Sequence, residues 1–299
     1  MRVEANGLTF HCRTSGDPDA PLLFFLHGFP EFSGAWAELS AELSDAFYCV
    51  APDQRGYGQS AKPDGAGAYV TGKLAGDAAA LLTRFAPRAR AVVAHDWGAS
   101  VAYVLAARRP DLMERLVIMN GAHPIPFQRA LATGGGQSNA SQYFHFLRSE
   151  TAEAALAADD FARLSAIFAD GMDMSWLSGA RRADYLAAWS APGALTGMLN
   201  WYRATPLQVA DPGAPIPPER LLPLDPASLR IRMPHLLIWG AGDRALLDEA
   251  TEGLEALCDD LTRVRIEDAD HWLHHQKPRE VAATIRSFCG ADEDDRQSW

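Results

Sequence analysis

The stretch Ala91-Val92-Val93-Ala94-His95-Asp96-Trp97-Gly98-Ala99-Ser100-Val101-Ala102-Tyr103 decides the fold of this chain. A short apolar run without alternation, the pattern of a strand buried on both faces, leads to a turn and then to a helical pattern. Small residues, Ala94 and Gly98, stand two positions to either side of Asp96. A strand that turns sharply into a helix needs small residues there, and its central side chain then projects above the sheet, at the new helix's amino terminus. Asp96 holds that central place. A carboxylate with an ordinary pKa of about 3.9 is ionised at neutral pH, and a helix amino terminus favours the charge further. It needs no base to become a nucleophile. Attack on an acyl carbon would give an anhydride, whereas attack on a saturated carbon with a strained or good leaving group gives an ester that water can cleave. The turn therefore points to displacement at an sp³ carbon. A plain helix cap is the bland alternative for Asp96.

Outward from this turn the same rhythm repeats. Apolar runs at 22–26, 48–51, 116–119, 236–239 and 263–266 alternate with helical patterns such as 36–43, 74–85 and 100–108. That alternation predicts an α/β fold, a mostly parallel sheet flanked by helices. Residues 3–4 and 8–13, around Asn6-Gly7, predict a hairpin. From Pro124 to Pro226 the spacing predicts no strand, only helical segments at 142–148, 152–168, 180–189 and 195–202. Seven prolines between Pro206 and Pro226 close this region; at that density they stop helices and stiffen a connection. A helical insert between two sheet strands sits over the sheet's carboxyl edge, where ligands bind, and reads as a lid; a second helical domain with no role at the site is the alternative. The expected division is a core in two parts, 1–123 and 229–290, a helical lid over 124–228, and a disordered acidic tail over 291–299 with four acids and one arginine.

Composition narrows the function. The 299 residues carry 27 basic and 38 acidic side chains, a net charge of −11. A nucleic-acid binder should show a basic face, and a protein drawn to anionic lipid a basic cluster; neither is expected here. Hydrophobic residues at 48% and charged residues at 22% can fill an ordinary core. The apolar run at 21–26 falls far short of the roughly 18 residues that span a bilayer, and the start, MRVEANGLTF, lacks the apolar stretch of a secretion signal. Cys12, Cys49, Cys258 and Cys289 form no C-x-x-C pair, which argues against a zinc ribbon, an iron–sulfur site or a disulfide scaffold. A soluble, cytoplasmic protein with reduced thiols is expected.

An alkyl-aspartate ester needs water activated near neutral pH, a task that suits histidine. Of nine histidines, His271 in Asp270-His271-Trp272 follows the last predicted strand and precedes the final helix, which starts near Pro278. Asp243, in Trp239-Gly240-Ala241-Gly242-Asp243, lies just past the strand at 236–239 and can orient that histidine. Each could be an ordinary loop residue by itself, but nucleophile Asp96, acid Asp243 and base His271 all fall after strands, in the chain order of a known catalytic triad. His27-Gly28-Phe29-Pro30 follows the strand at 22–26. There the Phe29 N–H can join that of Trp97 to hold an oxyanion, each such donor being worth about 10²–10³ in rate. His271, His274 and His275 lie close in sequence but lack the convergent spacing of a metal site. Gly56 and Gly58 precede no lysine-serine or lysine-threonine pair and make no phosphate loop. No cofactor and no metal are expected. His95 and His123, like Asp53 and Arg55, read as residues that orient loops.

On these residues the chain resembles the epoxide-hydrolase branch of the α/β-hydrolases over nearly its whole length. His27-Gly28-Phe29-Pro30-Glu31 with Trp36 is similar to that family's H-G-x-P segment, Asp53 to Ser60 to its loop after the next strand, His95-Asp96-Trp97-Gly98 to its nucleophile motif, and Asp270-His271-Trp272 to its base motif. The resemblance implies an α/β-hydrolase fold with a lid inserted between two strands, Asp96 as nucleophile, Asp243 as acid and His271 as base. It also implies two lid tyrosines that protonate the epoxide oxygen. Asn200-Trp201-Tyr202-Arg203 matches the second tyrosine's motif, giving Tyr202. For the first, Ser141-Gln142-Tyr143-Phe144 offers Tyr143, while an alignment running back from 152–156 puts Gln142 at that place. His27, Phe29, Trp97, Trp201 and Trp272 would make the substrate wall apolar and aromatic, fit for a small apolar epoxide and water. The resemblance leaves room for a homodimer.

Haloalkane and haloacetate dehalogenases share the turn aspartate. Their halide is held by the tryptophan after it and by an asparagine in the first motif, where this chain has Phe29, or by a lid tryptophan, for which Trp176, Trp189 and Trp201 are available. Some place the acid after the preceding strand, where Asn120 stands. Fluoroacetate dehalogenases carry arginines after the nucleophile, where Trp97 and Val101 stand. A third reading is a non-catalytic member that binds a small apolar ligand, against which the intact set of Asp96, Asp243 and His271 speaks.

Overall fold

In the computed structural model, which describes residues 1–169 and 171–290, eight strands form one sheet. Arg2–Ala5 (β1) and Leu8–Ser15 (β2) make the expected antiparallel hairpin. Asn6 and Gly7 turn it with φ of 52° and 74°, the positive values a tight two-residue turn demands. Next come Leu22–Leu26 (β3), helix Ala37–Leu43 (α1), Tyr48–Pro52 (β4), helix Thr71–Phe85 (α2), Ala89–His95 (β5), helix Trp97–Arg108 (α3) and Met113–Met119 (β6). The order across the sheet is β1-β2-β4-β3-β5-β6, continued by His235–Gly240 (β7) and Leu261–Ile266 (β8). From β4 to β8 all pairs are parallel.

The unbroken apolar runs have a direct cause. Leu22, Phe24 and Leu26 point into one core, with α2 and α3, while Leu23 and Phe25 point into the other, with α1 and the last helix, Pro278–Cys289. A strand covered on both faces has no polar side to show. Each fully buried side chain of this size contributes about 1.5–3 kcal/mol. β8, at the sheet's edge, keeps Arg263 and Arg265 outward, and charges on an edge strand discourage pairing with another chain.

Between β6 and β7 lie Pro124–Ala132 (α4), Gly136–Ala140 (α5), Tyr143–Arg148 (α6), Ala152–Ala169 (α7), Gly179–Ser190 (α8) and Ala194–Ala204 (α9). The apolar spacing misses α4, whose opening prolines read as breakers. Proline is tolerated in a first turn, where the N–H has no intrahelical partner anyway. The spacing also predicts one unbroken helix over 152–168, but the stretch breaks inside: Ala158 is extended, and Asp159, Asp160 and Phe161 have φ of 51°, 51° and 61°. Apolar periodicity continues across such a break and cannot reveal it. The proline-rich run after α9 contains only a short 3₁₀ turn, Pro218–Arg220, and an isolated bridge, Asp211 to Ala214, among the described residues. The acidic tail expected at 291–299 lies outside the described residues. Cys12, Cys49, Cys258 and Cys289 are buried and unbridged. Among the described residues no helix is long and apolar enough to cross a membrane.

Candidate active site

The turn after β5 sets the site. Asp96 has φ 49° and ψ −122°, a backbone state that costs a residue with a side chain, and α3 starts at the next residue. Close packing around it depends on glycines. A Cβ on Gly98 would stand 2.1 Å from the Leu26 carbonyl oxygen, and one on Gly28 would stand 2.4 Å from Asp96 Oδ1. The loop after β3 therefore lies directly against the aspartate. From it the Phe29 N–H donates to Asp96 Oδ1 at 2.7 Å. Trp97 opens α3, so its N–H is one of the helix's free amino-terminal donors. The other carboxylate oxygen, Oδ2, lies 3.8 Å from His271 Nε2.

His271 follows β8, and its Nδ1–H donates to Asp243 Oδ2 at 2.8 Å. Asp243 follows β7 and is held from three sides. Its Oδ1 accepts from the N–H groups of Ala245 and Leu246 at 2.8 and 2.9 Å, and its Oδ2 accepts from Asn120 Nδ2 at 2.6 Å. Asn120 itself follows β6 and accepts the Gly240 N–H at 2.7 Å. It was legible in the sequence only as a place without an acid; its role needs the strand order, which sets the end of β6 beside the end of β7. Burial opposes a charge on His271, but Asp243, and after it Asp96 and Glu31, outweigh that and lift its pKa to about 9.

A cavity of about 40 Å³ is lined by Phe29, Asp96, Tyr143, Ile167, Met172, Tyr202, Ala245, His271 and Trp272. Tyr143 opens α6 and lies on this wall. Gln142 does not: its Nε2 donates to the carbonyls of Ser138 and Ala210 at 2.8 and 2.9 Å. The rings of Tyr143 and Tyr202 stand edge to face, 6.1 Å apart. Burial first, and then the charge of Asp96 among other neighbours, raises both hydroxyls well above the usual phenol value, so each keeps its proton. Ile167, Met172 and Ala245 carry no motif that would have marked them in the sequence.

Three residues expected against substrate, His27, Trp97 and Trp201, are not among those that line this cavity. His27 Nδ1–H donates to the Gly28 carbonyl at 2.9 Å, and Nε2 accepts the Gln54 N–H at 3.0 Å. Burial keeps this ring neutral by lowering its pKa, and both nitrogens lock loops. The Trp201 Nε1–H donates to the Arg55 carbonyl at 3.0 Å, with its ring edge-on to Trp97 at 6.3 Å. Trp189 spends its Nε1–H on the Pro30 carbonyl at 2.7 Å. Asp53 and Arg55 bind loops as their setting suggests. Asp53 accepts the N–H groups of Ser33 and Gln59, both at 2.8 Å, and Arg55 makes a forked pair with Asp77 at 2.6 and 2.7 Å.

Comparison with known proteins places the whole chain. A family model described as alpha/beta hydrolase fold matches residues 21–278. The AB hydrolase superfamily protein YfhM of Bacillus subtilis (strain 168) is 34% identical, over 96% of each chain. Epoxide hydrolase 1 of Caenorhabditis elegans is 30% identical, over 96% of this chain and 69% of its own. A solved structure from work on novel epoxide hydrolases in metagenomes from hot environments superposes with a TM-score of 0.88 at 37% identity, covering 96% of this chain and 97% of that one. Fold and sequence agree, and the chain belongs to the alpha/beta hydrolase fold family, in its epoxide-hydrolase branch.

Proposed function

We propose that this protein converts an apolar epoxide into a vicinal diol in two steps, through a covalent ester at Asp96. The observation that carries this reading is the shared cavity wall of Asp96, Tyr143, Tyr202 and His271. In the first step Asp96 Oδ2, the oxygen not held by Phe29, attacks an epoxide carbon from behind. The ring C–O bond breaks, and a tyrosine hydroxyl passes its proton to the departing oxygen. In the second step His271 Nε2 takes a proton from water, whose oxygen attacks Cγ of the ester. Charge gathers on Oδ1, at the Phe29 N–H and beside that of Trp97. The ester C–O bond then breaks, the diol leaves with the proton from His271, and the proton of the regenerated acid restores the tyrosine.

Electrostatics supports this division of labour. With its pKa near 9, His271 holds a proton at neutral pH in the resting site. Alkylation makes Asp96 neutral and removes one of the charges that keep the proton there. The first step thereby prepares the base for the second. The segment 124–228 serves as the cap, since α6, α7 and α9 supply Tyr143, Ile167 and Tyr202 to the cavity.

A single turnover in heavy-oxygen water tests the scheme. Label should enter Asp96 first and leave the first diol unlabelled, and His271→Ala should accumulate the ester, read by intact mass. A first diol that already carries label would sink the ester scheme. Haloalkanes and fluoroacetate belong in the same assay. The indole N–H groups of Trp189 and Trp201 are spent on backbone carbonyls, and Trp176 stacks on His275 and does not line the cavity, so no halide release is expected.

A further inference from the structure

The loop after β3 carries a carboxylate that the proposed chemistry does not use. Glu31 is fully buried, at 1% exposure. A lone buried carboxylate is costly, but this one meets four donors. Its Oε2 accepts from His95 Nδ1 at 3.0 Å; its Oε1 accepts from His275 Nε2 at 2.8 Å, Tyr185 Oη at 3.0 Å and His274 Nε2 at 3.2 Å. Burial works to raise the Glu31 pKa, and these partners, His274 foremost, override it and hold the group well below the usual range. Burial lowers the pKa of His274 and His275, and each turns Nε2 toward Glu31. Direct hydrogen bonds fill the space in which Glu31, His95 and His274 would have to hold a metal ion.

The network has two ends. On the core side, His95 Nε2 lies 2.8 Å from the main-chain carbonyl of His271. Both ring nitrogens of His95 thus face oxygen atoms, one of Glu31 and one of the His271 main chain. On the cap side, Tyr185 and Trp189 lie four residues apart on α8 and so share one face. Tyr185 reaches Glu31, and Trp189 donates to the Pro30 carbonyl, one residue from the oxyanion donor. Trp176, just before α8, stacks on His275 at 3.8 Å between ring centres.

We propose that Glu31 is a positioning residue, which couples the seating of α8 on the core to the alignment of the base His271, through His95. The inference rests on the two-step reading above. It assigns the coupling to ester hydrolysis, the step that needs His271 Nε2 aimed at water; alkylation needs only Asp96 and the cavity tyrosines.

The test is single-turnover kinetics that resolve alkylation (fluorescence quenching of the site tryptophans) from ester decay (intact mass), with styrene oxide as probe. Tyr185→Phe removes one bond to Glu31 and keeps the ring. It should slow ester decay about tenfold, the effect of one hydrogen bond to a charged group, and leave alkylation within about twofold. Glu31→Gln should slow decay further and in the same step. Equal slowing of both steps in Tyr185→Phe, or a lower melting temperature with unchanged decay, would show a packing role alone and overturn the inference. Should Glu31→Gln fail to fold, Tyr185→Phe still decides. If the unaltered protein forms no ester, the two-step reading itself falls, and this inference with it; an ester that forms while both steps slow together removes only the coupling.

Discussion

Asp96 can act as proposed only if its neighbours divide the work between its two oxygens. Oδ1 is held by the Phe29 N–H, while Oδ2 lies 3.8 Å from His271 and faces the cavity. Two outcomes belong to this scale. Tyr143→Phe and Tyr202→Phe should each slow alkylation about 10–100-fold, and the double variant should lose more. General acid catalysis is worth about 10²–10⁴ in rate, and here it is shared by two hydroxyls; stopped-flow fluorescence measures it. Ester decay should rise with pH, with an apparent pKa below the value of about 9 that His271 has beside an ionised Asp96. The ester has lost that charge, so the proton leaves more readily. A decay rate flat from pH 6 to 9 in single-turnover runs would contradict His271 as the base.

At the scale of elements, the tight joint between β3, β5 and α3 explains why the nucleophile turn is written in small residues. Gly98→Ala would put a methyl 2.1 Å from the Leu26 carbonyl oxygen, which is backbone and cannot swing away. Overpacking of this kind costs about 1–3 kcal/mol and occasionally more, and in a chain of this size each kcal/mol lowers the melting temperature by about 2–4 °C. A fall of about 5 °C or more is expected by calorimetry. Gly67→Ala, with open space around its Cβ, should change little and serves as the control. Elements also separate what pattern reveals from what it hides. The strands were legible because burial on both faces leaves an apolar run. The break in α7 was not, because the chain keeps its apolar spacing while Asp159, Asp160 and Phe161 turn to positive φ.

For the whole molecule, buried titratable groups set how stability varies with pH. Asp53 is pushed up by burial, but His11 at 3.4 Å and the N–H groups of Gln59 and Ser33 outweigh this and bring its pKa down to about 2. Its contribution is complete above the unfolded value of about 3.9 and is lost as pH falls through about 2. His271 is raised to about 9, so its contribution is complete below the unfolded value of about 6.5 and is lost as pH rises through about 9. Burial lowers the pKa of His27, His123, His235, His274 and His275, so unfolding takes up protons on them below about pH 6.5, and melting temperature should therefore be highest near pH 6.5 and fall on both sides. In His271→Ala the alkaline fall should be shallower, which thermal melts across pH would detect.

The sequence by itself determined the alternation of strand and helix, the sharp turn at Asp96, and the order of Asp96, Asp243 and His271, each after a strand. These are local facts: turn geometry and two-sided burial write themselves into neighbouring residues. Only the tertiary structure put Tyr143 and not Gln142 on the cavity wall, left His27, Trp97 and Trp201 off it, brought Asn120 to Asp243, and gathered Glu31, His95, His274, His275 and Tyr185 into one network. Those contacts join residues up to 244 positions apart. Their partners depend on strand order and on how the cap helices dock, and no local spacing along the chain encodes either.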